Sequence, residues 1–175
     1  AFYHLLHEGR ASEVIDRVLG ALREGRTLAD LLHHGLAPAL RHIGRLWQAG
    51  SGGIFTEHLA TRITQRTLME ARKTWPQPDD TAPLAMGGAL DDDAHGLSSA
   101  MAAAILEQVG WRVIDLGACS PVPMLGEQAR AHGASLVWGA LGTPAAPDLQ
   151  AARLESLRHR LGTGPEAPSV VAGGP

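Results

Sequence analysis

A histidine that follows an aspartate in an acidic loop is the feature of this sequence that most directly suggests chemistry. Asp93 and His95 lie in a loop that begins Asp91-Asp92-Asp93, directly after a short apolar run. An imidazole can bind a metal through one ring nitrogen while the other donates to a carboxylate, which fixes the tautomer and makes the ring a better ligand. The alternatives are a surface histidine beside a solvated turn, or a weak cation site. The loop lacks G-x-G-x-x-G and its negative charge would repel phosphate, so it is not a nucleotide-phosphate motif.

A tryptophan and a Glu-His pair form a second group of interest. Trp47 is expected to end one helix, and Glu57 and His58 to begin the next, so a short turn could bring them to one end of a helical bundle. A tryptophan at such a helix end is usually a core residue. A Glu-His pair on a first helical turn is usually a solvated pair that the helix dipole favours.

The first part of the chain has the periodicity of helices. The sequence predicts a four-helix bundle over residues 1–75. We expect Ser12 to cap one helix, Thr27 with Asp30 to cap the next, and Pro38 to kink or break that helix. The last helix should run from about residue 55 to residue 75, with an apolar stripe at helical spacing: Phe55, Leu59 and Ile63.

A proline-rich linker over residues 76–83 precedes a different pattern. Over residues 84–175, short apolar runs alternate with helical segments, which predicts a flavodoxin-like (Rossmann-like), doubly wound parallel sheet. A fifth strand and a closing helix would be normal, so the domain is expected to continue past Pro175. Such sheets bind ligands at the carboxyl ends of their strands, beside the loop of Asp93 and His95. The first sheet-domain helix, residues 96–109, should carry the stripe Leu97, Met101, Ile105 and Val109.

The composition excludes several classes of protein. Hydrophobic residues make up 45% of the chain and charged residues 19%, which suits a packed core. The net charge of −3 argues against direct binding of nucleic acid, and no apolar run is long enough to span a membrane. Cys119, the one cysteine, excludes an internal disulfide and fits a cytoplasmic, reducing compartment. We expect its side chain to be a packed small group, not a reactive thiol.

The order and spacing of these groups resemble those of CarH-type cobalamin-binding photoreceptors and regulators. Their helical cap carries a tryptophan, nine intervening residues and then Glu-His, which is the spacing of Trp47, Glu57 and His58. The segment that begins at Asp93 resembles the family's D/E-x-H-x-x-G motif. The family's later S-x-L and GG motifs correspond to Gly139-Ala-Leu141 and Gly173-Gly174.

The resemblance implies that cobalamin binds between a helical cap and the sheet, with its nucleotide tail in a slot. His95 would be the lower cobalt ligand and Asp93 would hold it, while Trp47 could pack on an upper adenosyl group. Adenosylcobalamin is the expected form, with methylcobalamin and hydroxocobalamin as alternatives. The residues that the resemblance assigns to the cofactor are Trp47, Glu57, His58, Asp93, His95, Gly96, Leu97, Ser98, Gly139, Leu141, Gly173 and Gly174.

Two positions depart from the family's motifs. Ser98 replaces the glycine of D/E-x-H-x-x-G, and Gly139 replaces the serine of S-x-L. The slot would then be altered, or Ser99 or Thr143 would supply the missing hydroxyl. Gly173 and Gly174 would let the backbone approach the nucleotide tail.

Three functions are compatible with these features. The first is a light-responsive cobalamin sensor that signals by cap movement to an output domain or regulatory partner, with no catalytic residue of its own. The second is a corrinoid carrier for enzymatic methyl transfer, and the third is an interaction module without a cofactor. Trp47 with Glu57 and His58 favours the sensor, because a methyl carrier needs no tryptophan to stack on adenosyl. A homo-oligomer is compatible with each.

Overall fold

The chain forms two compact units, Ala1–Pro76 and Gln77–Pro175. The computed structural model describes residues 2–142 and 147–174, and residue 147 by its backbone alone. The predicted order of a helical region followed by a parallel α/β sheet is confirmed. Within the described ranges, no helix is both long and apolar enough to cross a bilayer.

The elements described in the first unit are all helices. A π-helical turn over Leu32–Leu36 joins the third and fourth of them into one continuous helix, so the described part of the unit has four helical segments. Its helices are α1 (Phe2–His7), α2 (Ala11–Arg23), α3 (Leu28–Leu31), α4 (Ala37–Gln48) and α5 (Ile54–Arg72).

This continuous helix runs through Pro38, so the expected break at that residue is wrong. The irregularity lies one turn earlier, where the Ala37 N–H donates to the carbonyl of Leu32, five residues back. Proline has no N–H and its ring crowds the carbonyl four residues before it, here that of His34. The wider π turn accommodates the proline without ending the helix.

One of the two predicted helix caps is confirmed. Thr27 precedes α3, and its hydroxyl accepts a hydrogen bond from the Asp30 N–H at 3.1 Å. The cap at Ser12 is wrong, because Arg10 occupies the N-cap position of α2 and Ser12 lies exposed in the first turn. Arg10 pairs with Glu13 of that turn at 2.5 Å.

The buried face of helix α5 includes small and polar residues as well as large apolar ones. Phe55 is 73% exposed and the helix ends at Arg72, so the stripe is wrong at Phe55 and the extension to residue 75 is wrong, whereas Ile63 of the stripe is buried. Two threonines lie on the buried face, and their hydroxyls donate to the carbonyls of Ala60 and Ile63 at 2.9 Å. Their polar groups are thereby satisfied. The buried residues of α5 are Ala60, Ile63, Thr64, Thr67, Leu68 and Ala71.

The second unit is a four-stranded sheet in which all pairings are parallel, in the order β2-β1-β3-β4. Strand β1 is therefore central, between β2 and β3. The apolar runs and the helices between them lie within a few residues of their expected positions. The elements are β1 (Leu84–Ala89), α6 (Gly96–Gln108), β2 (Arg112–Asp115), α7 (Val122–Ala131), β3 (Leu136–Ala140), α8 (Pro147–Leu161) and β4 (Ser169–Gly173).

The sheet has a core on each face. Met86 and Val137 pack with side chains of α7 and α8 on one face, while Ala85 and Trp138 pack against α6 on the other. The predicted stripe of α6 is wrong at Val109, which is 66% exposed, while its other members, Leu97, Met101 and Ile105, are half-buried. The fully buried residues of α6 are small and let the helix lie close to the sheet: Ser99, Ala103 and Ala104.

Candidate functional site

The Asp93–His95 segment lies at the carboxyl end of the central strand. Leu90 directly follows β1 and forms an isolated parallel bridge with Ser120, which lies beyond β2. The chain then turns through three aspartates and enters α6 at Gly96. This is the edge at which parallel α/β sheets bind their ligands.

Asp93 and His95 contact each other through side chain and backbone. The Asp93 carboxylate is 1% exposed, whereas the His95 side chain is 65% exposed. His95 Nδ1 lies 3.0 Å from Asp93 Oδ1, and the His95 N–H donates to the same oxygen at 2.9 Å. The other carboxylate oxygen accepts a hydrogen bond from the Gly142 N–H, and the Asp93 carbonyl accepts one from the Cys119 N–H at 2.9 Å.

This geometry suits a histidine that binds a metal. Because Asp93 contacts Nδ1, that nitrogen is the one expected to carry the proton, and Nε2 is the atom with which the ring would coordinate. The hydrogen bonds to the carboxylate compensate for its burial. The imidazole thus has a fixed orientation and an exposed ring.

Among the described residues, no group of three or more His, Cys, Asp or Glu side chains could hold a metal ion. The Asp93–His95 pair offers one imidazole nitrogen, so a metal that bound there would need its other donors from elsewhere.

Gly142 belongs to the same site, although the sequence did not single it out. A Cβ on Gly142 would lie 3.1 Å from Asp93 Oδ2 and 3.1 Å from His95 Cβ, a tight fit for a side chain. The absence of one lets the chain after β3 approach the loop after β1. The only signal in the sequence is a glycine shortly after an apolar strand.

Two glycines of the later motifs, Gly139 in β3 and Gly174 directly after β4, lie close to other residues of the sheet unit. A Cβ on Gly139 would lie 2.7 Å from Leu90 Cδ1, and one on Gly174 would lie 2.2 Å from the Leu141 carbonyl oxygen. Leu141, which is buried, donates its N–H to the Gly173 carbonyl at 2.9 Å. Gly174 therefore has a packing role within the sheet unit, while Gly173 has open space where a side chain would be.

Ser99 does not provide the hydroxyl missing from the motifs. It is fully buried, donates to Asp115 Oδ1 at 2.7 Å and accepts from Trp138 Nε1 at 2.9 Å. These bonds hold α6 to the end of β2 and to the middle of β3. Ser98 is exposed and its hydroxyl donates to the His95 carbonyl at 3.2 Å, while Thr143 lies outside the described residues.

The remaining motif residues begin α6. Gly96 and Leu97, its first residues, are half-buried. A Cβ on Gly96 would lie 3.2 Å from the Ala118 backbone nitrogen, so this end of α6 lies close to the loop after β2. In that loop Cys119 is exposed, with a φ of 52°, so the expectation of a packed small residue is wrong.

The helical unit carries the other group of predicted residues. Trp47 lies in the last turn of α4 and is 44% exposed, so it is not a core residue. Glu57 lies in the first turn of α5, where its carboxylate accepts from the Thr61 hydroxyl at 3.1 Å and lies 3.6 Å from His58 Nε2. Ile54 in the same turn is 56% exposed.

Known proteins share features with both parts of the chain. Residues 1–71 match the family model described as "B12 binding domain". The Methanosarcina acetivorans dimethylamine corrinoid protein 2 is 24% identical over 131 residues, which are 70% of this chain and 59% of that protein. Trimethylamine corrinoid protein 1 of the same organism is 27% identical over 128 residues, with 70% and 57% covered. The solved Methanosarcina barkeri monomethylamine corrinoid protein superimposes with a TM-score of 0.71 and 16% identity, covering 98% of this chain and 81% of that one.

The family-model match covers the helical unit, and the likeness to the solved structure shows the corrinoid-protein fold. Together with the curated relatives, these likenesses support corrinoid binding. The chain spans less than two thirds of the length of the curated relatives that it matches. The resemblance to CarH-type photoreceptors is not supported, because these relatives are methylamine corrinoid proteins. Light sensing and transcription regulation lose their support with it.

Proposed function

We propose that this protein is a corrinoid carrier for enzymatic methyl transfer. The observation that carries the proposal is the buried Asp93 carboxylate against the exposed His95 ring, at the end of the central strand. The likeness to methylamine corrinoid proteins adds support, and it makes methylated amines the first substrate class to test. A methyltransferase would be the partner, and the cytoplasm is the compartment that Cys119 favours.

The residues of this chain would hold and orient the cofactor. A bound corrinoid supplies a cobalt ion that can accept and release a methyl group. His95 would bind below the ring through Nε2, and Asp93 would hold the proton on Nδ1 and keep the imidazole in place. The remaining motif residues of the sheet unit would form or support the slot for the nucleotide tail, with Gly139, Leu141 and Gly174 acting through their packing within the unit: Gly96, Leu97, Ser98, Gly139, Leu141, Gly173 and Gly174.

The light sensor is the second candidate, and one observation favours it. The Trp47 indole is exposed at the end of α4, and Glu57 lies beside His58 in the first turn of α5; a flat indole and a carboxylate are groups that suit an adenosyl ligand. A carrier instead needs its upper side accessible to a partner enzyme. The two functions therefore differ in the preferred upper ligand, methyl for the carrier and adenosyl for the sensor.

Binding and methylation assays test the proposal. The purified protein is titrated with hydroxocobalamin, methylcobalamin and adenosylcobalamin, and the reduced holo-protein is then offered mono-, di- or trimethylamine with a candidate methyltransferase. We expect binding with a histidine-ligated spectrum and methylation that depends on the amine. His95→Ala should lose the histidine-ligated spectrum, whereas His159→Ala, an exposed histidine of α8, should keep it.

Two results would contradict the carrier. Absence of corrinoid binding by the unmutated protein would exclude both candidates. Strong selectivity for adenosylcobalamin, with a change in hydrodynamic radius after green light and no methylation by any amine, would favour the sensor instead.

A further inference from the structure

We infer that Arg153 of α8 is a positioning residue for the loop that carries His95, an inference that rests on the proposed function. It contacts two of the three consecutive carboxylates that precede His95. Arg153 Nε lies 3.0 Å from Asp91 Oδ2, and its Nη2 contacts Asp92 Oδ1. The Arg153 side chain is only 11% exposed, so most of it is shielded from solvent.

Asp91 connects Arg153 to the rest of the sheet unit. Its Oδ1 accepts a hydrogen bond from the Val122 N–H at 3.0 Å, which places the carboxylate at the start of α7. Its own N–H donates to the Ser120 carbonyl at 2.8 Å. With Arg153 on Oδ2, Asp91 therefore links the end of β1 to both α7 and α8.

The backbone of Asp91 needs this support. Its φ of 53° lies in the left-handed region, which costs free energy for a residue other than glycine. Such a conformation persists where surrounding contacts determine it. The contacts of Asp91 with Arg153, Val122 and Ser120 fix the path of the chain two residues before Asp93.

The charges lead to the same conclusion. Asp91, Asp92 and Asp93 are adjacent in sequence, and Asp93 is almost fully buried. Like charges at this spacing repel each other, the more so where burial limits screening by water. The positive guanidinium of Arg153 offsets the charges of Asp91 and Asp92, and its planar set of N–H donors can contact both carboxylates. Loss of that charge should displace the loop and, with it, the imidazole.

Three variants test the inference. Arg153→Gln removes the charge and Arg153→Lys keeps it while losing the planar fork; Arg158→Gln, an exposed arginine of the same helix, is the matched control. One readout is corrinoid affinity. Another is the electron paramagnetic resonance spectrum of the bound cobalt(II) form, in protein whose histidines carry the heavy nitrogen isotope. That spectrum reports whether a histidine nitrogen lies on the cobalt, which a loss of stability alone would not change.

We expect Arg153→Gln to bind corrinoid about tenfold more weakly, which is within the range of affinity loss found when the partner of a metal ligand is removed. The variant should also lose part of the histidine-nitrogen splitting. Arg153→Lys should recover part of both effects, and Arg158→Gln should match the unmutated protein. In the cofactor-free protein, Arg153→Gln should speed hydrogen exchange at the His95 and Cys119 amides, which Asp93 holds.

The outcomes separate this inference from the proposed function. Unchanged affinity and splitting in Arg153→Gln would overturn the positioning role and leave the carrier intact. If the unmutated protein binds no corrinoid, the carrier fails, and the amide exchange rates still decide whether Arg153 orders the loop: faster exchange supports it and equal exchange refutes it. If Arg153→Gln does not fold, the same readouts are compared between Arg153→Lys and Arg158→Gln. A defect in Arg153→Lys alone supports the positioning role, and equal behaviour of the two variants refutes it.

Discussion

In the proposed carrier, the buried Asp93 carboxylate and the exposed His95 imidazole would divide the task of metal binding. His95 would provide the nitrogen that contacts the metal, while Asp93 would orient the ring without meeting solvent. Asp93 also accepts hydrogen bonds from the N–H groups of His95 and Gly142, so it organises the loop as well as the ring. Its removal should therefore affect both stability and cofactor binding.

We expect Asp93→Ala to weaken corrinoid binding by about 10–100-fold, the usual range for the partner of a metal-ligating histidine. It should also destabilise the cofactor-free protein by about 1–3 kcal/mol, because N–H groups near the loop lose their acceptor. Spectroscopic titration and thermal unfolding measure the two effects. Asp80→Ala, at an exposed carboxylate of the same unit, should change neither the affinity nor the stability. If Asp93→Ala bound corrinoid as tightly as the unmutated protein, His95 would need no partner.

A second residue-scale prediction concerns the buried hydroxyl of Ser99. Ser99→Ala leaves the buried Trp138 N–H without its acceptor, at a cost of about 1–3 kcal/mol. Ser98→Ala, next to it but exposed, should stay within about 0.5 kcal/mol of the unmutated protein. Denaturant unfolding followed by tryptophan fluorescence compares the two, and equal midpoints would mean that water replaces the Ser99 hydroxyl.

What the sequence reveals of the site depends on how far apart the interacting residues are. Asp93 and His95 can be paired from the sequence because one residue separates them. Gly142 and Arg153 reach the same loop from 49 and 61 residues away, and nothing local to either marks that contact. The hydroxyl of Ser99 is misread for the same reason, since its partners lie on β2 and β3.

At the scale of the elements, the strands and helices begin and end close to where the sequence places them. Glycine, proline and polar residues mark the ends of short apolar runs, and all four strands follow that rule. The faces of two helices are misassigned because small or polar residues do the packing. Thr67 faces the core on α5, whereas Phe55 does not, and Ala103 faces the sheet on α6, whereas Val109 does not.

Close packing between neighbouring strands gives a prediction at this scale. A Cβ on Gly87 of β1 would lie 2.2 Å from the Trp138 ring and 2.4 Å from the Trp138 carbonyl oxygen. Gly87→Ala must therefore move the ring or separate β1 from β3, and we expect a loss of about 1–3 kcal/mol. Gly20→Ala in α2 meets nothing within 4 Å and should stabilise its helix by about 0.5–1 kcal/mol. Thermal unfolding measures both, and a neutral Gly87→Ala would contradict the tight packing of Trp138.

At the scale of the whole molecule, the chain divides into two compact units, and the connection between α5 and β1 contains no helix or strand. Residues 73–83 follow α5 and precede β1, and most of them are exposed, among them Lys73, Thr74, Asp80 and Thr81. A turn in which Asp79 accepts from the Thr81 N–H at 2.8 Å orders part of the connection. Proteases cleave exposed segments of this kind first.

Limited trypsin digestion should therefore cut first after Lys73, whose side chain is 67% exposed just beyond the last turn of α5. Mass spectrometry of the early fragments should find two products that correspond to the helical and sheet units. In Lys73→Gln, that cut should disappear while slower ones persist. A first cut within α4 or α5, at Arg45 or Arg66, would show that these helices open more readily than the connection.

The parallel pairing of the sheet has a consequence for the order of folding. The helices of the first unit are joined by short connections, whereas β1 pairs with β3 in a register that matches Ala85 with Leu136. Contacts between residues far apart in sequence form slowly, because the intervening chain must first lose entropy. On a ribosome, where the N-terminal part emerges first, the helical unit is expected to complete its core while β1, with the Asp93–His95 loop at its end, still lacks β3.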